Sequence, residues 1–527
     1  MPLIPINAVG QIGLLSDKPS HELPLNAWSD GKNVRFRDTF AEKFLGQTQV
    51  YDPVSAAPYN VFPVISGTNF FWLVAGLNKL YAIDGMTWYD ITRAVGGNYA
   101  ATATKNWTGG MLGGVPVVNN GVDVPQMWLN PAGVNLAADL SNWPVGYTCQ
   151  ALRPFKSFLV ALDINTGTTR YPQMVKWSHE AVVGSVPASW DPSDPAYDAG
   201  EYTLMESPGY CIDCLPMRDV NIIYKDDSVW TMQYIGGTNI FRFARVFATI
   251  GMLAKRCAVE FFSGKHVVLG QDDLVVHNAN SAESIISKKL KRWLFNNIDS
   301  NYFTRCFLLH NLREREVWVC FPESGTTTQL CTLALVWNYL DNQLSVRELP
   351  GIDGGNLGLI SSSYAGTTWS ADSLAWDSDS TDWGDGNYSS ASPRSLLADP
   401  TNSKLLDVES SLNFNGTSMN CYLERTGLGV PFKVDAPPDI SSRKFFRGLW
   451  PRIEGTDGGV VRIRLGVQDK VDTPVSWDES YDFVIGTDDH VDCALNGRLF
   501  AVRFESSTDI EWRLHGYDVD VQPAGTF

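Results

Sequence analysis

The sequence predicts an all-β fold, a β-propeller with an additional C-terminal antiparallel β region. Three observations carry the prediction. Short apolar runs of strand length alternate with turn residues through most of the 527-residue chain. The units they form begin roughly 40–50 residues apart, the spacing of four-stranded propeller blades. Trp72, Trp88, Trp128, Trp177, Trp230, Trp318 and Trp337 each sit in or beside a strand at a similar place in its unit, as side chains packed between blades would.

Residues 70–92 set the pattern. FFWLVA, LYAID and TWYDIT are strand-like runs, parted by Gly76-Leu77-Asn78 and by Asp84-Gly85, the second an Asp-Gly hairpin signal. The rhythm recurs at 113–128 with Asn120-Gly121 as the turn, and at 155–177. It recurs again at 220–234 turning on Lys225-Asp226-Asp227, at 266–277 turning on Asp272-Asp273, and at 316–347. About six blades are therefore expected between residues 50 and 350. No Gly-His…Trp-Asp signature accompanies them, so a WD40 propeller is not expected.

Residues 1–49 read as an extended arm before the blades. Residues 351–403, rich in Gly, Ser, Asp and Trp, read as a loop-rich linker or an irregular blade. Residues 404–527 read as a C-terminal β domain that also closes the propeller, and alternation at 497–505 and 510–521 gives it one buried and one solvated face. One helix is expected over 283–298, where Ile285, Ile286, Leu290, Trp293, Leu294 and Ile298 fall near one face and Asn280 with Glu283 resembles a capping box. It carries the basic run Lys288-Lys289-Leu290-Lys291-Arg292, which is either a solvated outer face or a contact for an acidic neighbour.

Lys and Arg number 41 against 58 Asp and Glu, a formal charge of -17. A chain of that balance does not bind DNA by neutralising phosphates, which needs clustered cations, whereas an acidic wall lets a polyanion slide past. Residues 1–13 carry no cationic stretch or long apolar run, so a signal peptide is not expected and synthesis in the cytoplasm is. No run approaches the roughly 18 apolar residues of a membrane helix.

The chemistry-bearing motifs point to no catalytic, cofactor-binding or metal-binding set. Cys211 and Cys214 form a lone CxxC without a second pair at zinc-finger distance, and the nine cysteines read as reduced core thiols. The seven histidines are dispersed, although His266 and His277 flank one hairpin. Phosphate loops and a nucleophile elbow are missing. Asp226-Asp227 and Asp272-Asp273 are paired acids on tight turns, where Asp is favoured for its local hydrogen bonds.

The stretch Asn33-Val34-Arg35-Phe36-Arg37-Asp38, followed by Glu42-Lys43 and Gly46, resembles the N-terminal segment of short-tailed phage tail proteins of the packaged-DNA stabilisation, tail hub or nozzle type. Residues 220–237, the segment 283–298, and 497–505 with Trp512 and Gly516-Tyr517 resemble a central blade, a late helix and the C-terminal sheets of that family. The resemblance implies a non-enzymatic subunit without cofactors in a six-fold ring of the virion tail, below the portal and its adaptor. Its partners would be copies of itself, the adaptor and other tail proteins, and genomic DNA passing through during ejection. It transfers no functional residues as a set. Lys288, Lys289 and Arg292 are the candidate subunit contact. The long polar insertions at 185–210 and 362–402 are expected to meet neighbours. The competing expectation is a glycan-binding or glycan-cleaving propeller used in receptor recognition, which needs an aromatic platform and, for cleavage, two placed carboxylates.

Overall fold

The computed structural model describes residues 3–51, 55–67, 69–85, 87–237, 239–360, 393–434, 436–471 and 473–525. Seven four-stranded antiparallel sheets form among them. Their innermost strands are Asn60–Ser66, Thr108–Leu112, Thr148–Phe155, Cys211–Met217, Ala258–Phe262, Phe307–Asn311 and Gly354–Gly358. Each touches the next and the last touches the first, so the sheets are the blades of a closed seven-bladed propeller, numbered here 1 to 7 in that order. The fold is all-β, as the strand rhythm predicts.

A blade is covered on both faces by its neighbours, which explains why the second strands are apolar at consecutive positions and not only at alternate ones. Phe158–Asn165 is buried at every residue except Asn165. The tryptophans fill the wedges between blades. Trp128 packs between blades 1 and 2, Trp177 and Trp230 between 3 and 4, Trp318 between 6 and 7, and Trp72 between 7 and 1. Trp88 is half-buried and rests edge-on against Tyr51 and Tyr81.

Polar side chains from every blade meet at the axis. Arg153 clasps Asp213 through Nε and Nη2 at 2.8 and 2.7 Å and donates Nη1 to Gly109 O. The Arg256 amide donates to Asp213, and its guanidinium donates to Asp353 O at 2.7 Å. Asp353 accepts from Arg305 Nε at 2.6 Å and from Asn106 Nδ2, which also donates to Tyr59 O. Asn60 Nδ2 donates to Trp107 O. Burial drives the Asp353 carboxyl up to about 6 against the pull of Arg256 and Arg305. Asp213 is equally buried, yet Arg153 and the backbone amides of Arg256 and Cys214 hold it below the usual carboxylate range.

Blade 7 consists of Gly354–Gly358, Arg394–Asp399, Lys404–Val408 and, as its outermost strand, Gln47–Gln49. Gln47, Thr48 and Gln49 pair antiparallel with Val408, Asp407 and Leu406. Residues 351–403 thus contribute strands to a blade. The closing strand comes from before blade 1, which corrects the expectation that the C-terminal region closes the ring. Most of the insertion expected to make contacts at 362–402 lies outside the described residues.

The remaining strands form a sandwich. One sheet orders Asp30–Lys32, Cys421–Leu428, Leu499–Ser506, Val460–Gln468 and Ser476–Val484. The other orders Val34–Arg37, Phe40–Lys43, Trp512–Gly525, Arg443–Gly455 and Val491–Gly497, with Ile4–Asn7 also paired to Trp512–Gly525. Phe446 stacks on Phe500 at 4.5 Å across the two sheets, and Phe504 meets Tyr517 and Trp28. Residues 1–49 are therefore not an extended arm. Their alternating apolar positions (Ile4 and Ile6; Val34 and Phe36) need an apolar partner face, and the C-terminal strands supply it.

The helix is also shorter than the sequence suggests. It spans Lys291–Asn297 alone, while Ala282–Ser284 is the outermost strand of blade 5. Asn278 Oδ1 takes the amides of Asn280 and Ser281, so this stretch makes a turn and not a capping box. Ile285, Ile286, Leu290 and Leu294 are all buried in one cluster, which gives a helix-like pattern to a segment that is mostly turn.

At Gly46 the chain leaves the sandwich for blade 7. A β-carbon there would lie 1.8 Å from Asn413 O, and Gly46 O accepts from the Glu409 amide at 2.8 Å. Gly46→Ala should destabilise the protein by about 3 kcal/mol, through overpacking against backbone that has no room to move. Thermal unfolding would show this as an early transition, accompanied by protease cleavage near the closing strand.

Candidate functional site: a charged junction and two surfaces of opposite sign

The segment 33–46 is the junction between sandwich and propeller. Asn33 lies between the strands Asp30–Lys32 and Val34–Arg37, which belong to different sheets. Its φ of +59° is a left-handed conformation that Asn tolerates better than most residues. Its amide donates to Val346 O at 2.8 Å, and its carboxamide accepts from the Glu348 amide and donates to Glu348 Oε2 and Asn420 O. One fully buried side chain therefore fixes both sandwich sheets to the outer strand of blade 6.

Arg35 follows on the inward face, where it pairs with Glu409, with Glu314 at 2.9 Å and with Glu316 at 3.5 Å. Arg37 pairs with Glu314 and with Glu42 at 2.8 Å. Arg347, fully buried, reaches Glu409 at 3.0 Å and lies 4.5 Å over the Trp318 ring. Burial pushes its guanidinium down to about 10, with Glu409 opposing. Burial opposes the charge on Arg35 as well, but Glu316, Glu409 and Glu314 together raise it. Burial and the neighbouring Glu409 push Glu316 out of the usual carboxylate range while Arg35 pulls the other way.

Between blades 4 and 5 lies a second buried polar group. His266 and His277 are directly cross-strand, and Tyr224 Oη lies 2.8 Å from His266 Nδ1 and 2.7 Å from His277 Nε2. Pro216 O can only accept, so His266 Nε2 carries its hydrogen and Nδ1 accepts from Tyr224. His277 Nδ1 faces the Ala279 amide, so its Nε2 donates to Tyr224. Each proton has an acceptor when both rings are neutral. Burial pushes His266 down to about 4 and His277 to about 3.

Two surfaces of opposite sign are exposed. At the rim of blades 3 and 4 a groove of about 960 Å³ runs between Gly200–Thr203 and Phe241–Phe247. Tyr202 stacks on Phe243 at 4.7 Å with an interplanar angle of 4°, and Tyr202 is 46% exposed. Trp177 backs the pair and donates its indole N–H to Asp198 O. Residues 190–201, which form one wall with Tyr197, carry Asp191, Asp194, Asp198 and Glu201 and no cation. Of these acids Glu201 is paired with Lys176 and Asp198 lies 3.9 Å from His179, while Arg242 on the facing strand is the one cation among the described residues that line the groove.

The basic surface is the turn and helix after blade 5. Lys288 is exposed at φ +61°, and Arg292 is exposed on the first turn of the helix. Neither forms an ion pair among the described residues. Lys289 differs, because it is half-buried and donates to Asn342 O at 2.8 Å, and burial lowers its ammonium. Lys291 is engaged with Asp273 and Asp272. Asp17 holds the helix start, accepting from the amides of Arg292 and Trp293. The contact reading thus applies to Lys288 and Arg292, while Lys289 is spent inside the molecule.

The remaining sequence candidates fall in structural places. Asp226 and Asp227 accept the amides of Tyr210 and Gly209 on their turn. Asp273 accepts from the Leu274 amide and Ser284. Cys211 and Cys214 are buried in the inner strand of blade 4, where burial pushes the Cys214 thiol up to about 12. Among the described residues no group of three His, Cys, Asp or Glu is placed to hold a metal, and no helix is long and apolar enough to cross a membrane. The junction partners Glu314, Glu316, Arg347 and Glu409 escaped the sequence reading, since each is an ordinary strand or turn residue until Arg35 lies beside it.

No family model matches the chain, and no curated protein matches it. Solved structures do. PorZ, an essential surface component of the type-IX secretion system of Porphyromonas gingivalis, matches with a TM-score of 0.35 and 10% identity over 83% of this chain and 46% of its own, so the chain spans about half its length. The Pan2 WD40 domain of Neurospora crassa matches at 0.37 and 10% over 69% of this chain and 95% of its own. The extracellular domain of a hybrid two-component system from B. thetaiotaomicron matches at 0.37 and 9% over 84% and 48%. At these scores the likeness carries no functional argument.

Removing one partner from a buried ion cluster leaves the others uncompensated. Arg35→Ala should cost about 3–5 kcal/mol, visible as a lowered midpoint in thermal or denaturant unfolding. The histidine pair gives a pH dependence. In the unfolded chain both rings titrate near 6.5, above their folded values, so the unfolded state binds more protons in the interval between. Stability from the pair is full above about 6.5 and declines as pH falls towards 4 and then 3. A His277→Gln variant should show a shallower fall in melting temperature over that range, and an identical slope would count against the network.

Proposed function

We propose that the chain is a structural subunit of a short-tailed phage tail, of the hub or nozzle type, assembling as a multi-copy ring below the portal and adaptor. One observation carries this reading. The first stretch in which the resemblance lies, from Asn33 to Gly46, joins the sandwich to the propeller and leads into the strand that closes it. A likeness that includes architecture-setting residues supports a shared architecture more than one confined to surface loops would.

The ring contact proposed is heterologous, pairing different surfaces of successive copies. The acidic aromatic groove of one copy receives Lys288 and Arg292 of the next. Both halves suit the task, since the aromatics are held rigid by stacking and the two cations form no ion pair among the described residues. DNA would pass through the lumen between copies, because side chains bridge the propeller's own axis. A subunit charge of -17 would let DNA slide without adhering.

A second reading has one observation in its favour. The flat Tyr202–Phe243 pair beside the carboxylates of Asp194 and Asp198 also suits a sugar ring. Oligosaccharide binding quenched by Tyr202→Ala would support the glycan reading over the ring contact.

Two measurements test the proposal. Gold-labelled antibody on purified particles should mark the tail axis below the capsid; label at fibre tips would favour receptor binding, and absence from particles would defeat the proposal. Light scattering should show that Lys288→Glu with Arg292→Glu yields monomers. Asp194→Lys with Asp198→Lys in the partner copies should restore assembly.

A further inference from the structure

Beside the stitched axis, on the side where the chain enters the inner strands, lies a cavity of about 260 Å³. Segments from blades 2 to 6 converge on it. Lys105 precedes the inner strand of blade 2, Gln150 lies on that of blade 3, Lys255 and Arg256 precede that of blade 5, and Thr304 precedes that of blade 6. Arg170 and Asp163 of blade 3 complete the lining as a closed ion pair.

Two polar atoms in this lining are buried and make no hydrogen bond. They are the ammonium Nζ of Lys255 and the hydroxyl Oγ1 of Thr304. An unpaired buried ammonium is costly, and a water, an ion or a ligand drawn into the cavity would satisfy it. The charged groups facing Lys255 are the carboxylates of Asp213 and Asp163, the thiol of Cys149 and the guanidinium of Arg256. Asp213 is already clasped by Arg153, and Asp163 by Arg170. Arg256 is tied to Asp353 O. Lys105 is exposed at the mouth. The lining therefore holds four cationic side chains, Lys105, Arg170, Lys255 and Arg256, against the one carboxylate of Asp163. This is a locally positive pocket in a chain of net charge -17.

We propose that this cavity is a binding site for a small oxyanion of the phosphate class, with Lys255 and Thr304 as its two inner donors. The size suits a tetrahedral anion with its water, and one ammonium and one hydroxyl without partners among the lining residues offer donors of the kind such an anion takes. The site is independent of the ring proposal, because none of its residues belongs to the rim groove or the basic turn. Burial lowers the Lys255 ammonium to about 8, so occupancy should fall once the pH passes that value.

Sulfate is the probe of choice for the pH arm because its charge does not change over the range, and inorganic phosphate serves for confirmation. Calorimetric titration of the full chain should give saturable one-site sulfate binding at pH 6.5. Affinity should weaken at least tenfold at pH 9.5. Lys255→Met should abolish binding at both pH values while raising the melting temperature of the anion-free protein, since it removes an unpaired buried charge. Lys105→Met, at the exposed mouth, should weaken binding severalfold without affecting folding, and it decides the matter if the Lys255 variant does not fold. No saturable binding by the wild-type chain, or unchanged affinity in Lys105→Met and Lys255→Met, would overturn the proposal.

Discussion

A buried cluster of guanidiniums and carboxylates sets the relation between the two halves of this protein. Arg35, Arg37 and Arg347 interlock with Glu42, Glu314, Glu316 and Glu409, which come from the sandwich, from blade 6 and from the end of blade 7. Apolar side chains of equal volume would hold such a junction as firmly or more so. What ions add is position, because each guanidinium fork accepts its carboxylates in few orientations. Asn33, two residues earlier, applies the same logic with a neutral carboxamide. Together they leave the sandwich one seat on the propeller.

The axis of the propeller is organised on a similar principle at smaller scale. Seven blades of different sequence converge on a space bridged by Arg153, Arg256 and Arg305. Asp213 and Asp353 each collect donors from other blades, and the contacts of Arg256 and Asn106 with Asp353 reach across an intervening blade. That rigidity defines the adjacent cavity, whose lining comes from five blades.

The elements visible in sequence are those set by neighbours along the chain. Strand pairs, their Asp-Asp and Asn-Gly turns, and the tryptophans between blades follow from alternation and turn chemistry that a short window displays. What stayed hidden was set across the chain. The apolar faces of Ile4–Asn7 and Val34–Arg37 find their partners hundreds of residues away, in Gln343–Ile352 and the C-terminal strands, so a local reading leaves them as an arm. The expected helix shrank because Ile285, Ile286, Leu290 and Leu294 face one core through a turn and not along one helical face. Of the three basic residues picked out, exposure separated Lys288 and Arg292 from Lys289, a distinction that charge alone cannot make. The orphan groups Lys255 and Thr304 had no local signal of any kind.

The origin of the closing strand has a consequence for biosynthesis. Gln47–Gln49 leaves the ribosome before any blade, yet its partner Lys404–Val408 emerges after six blades are complete. The sandwich waits longer still, since Val34–Arg37 and Phe40–Lys43 need Trp512–Gly525 beside them. Throughout translation the nascent chain therefore carries unpaired strand edges at its leading end, the kind of surface that recruits stray β-structure. Blades 1 to 6 can stack in order as they appear, the ring can close once Lys404–Val408 has emerged, and the sandwich can dock only when Trp512–Gly525 follows. The yield of folded protein should therefore depend on protecting those strand edges during the wait as well as on the stability of any single blade.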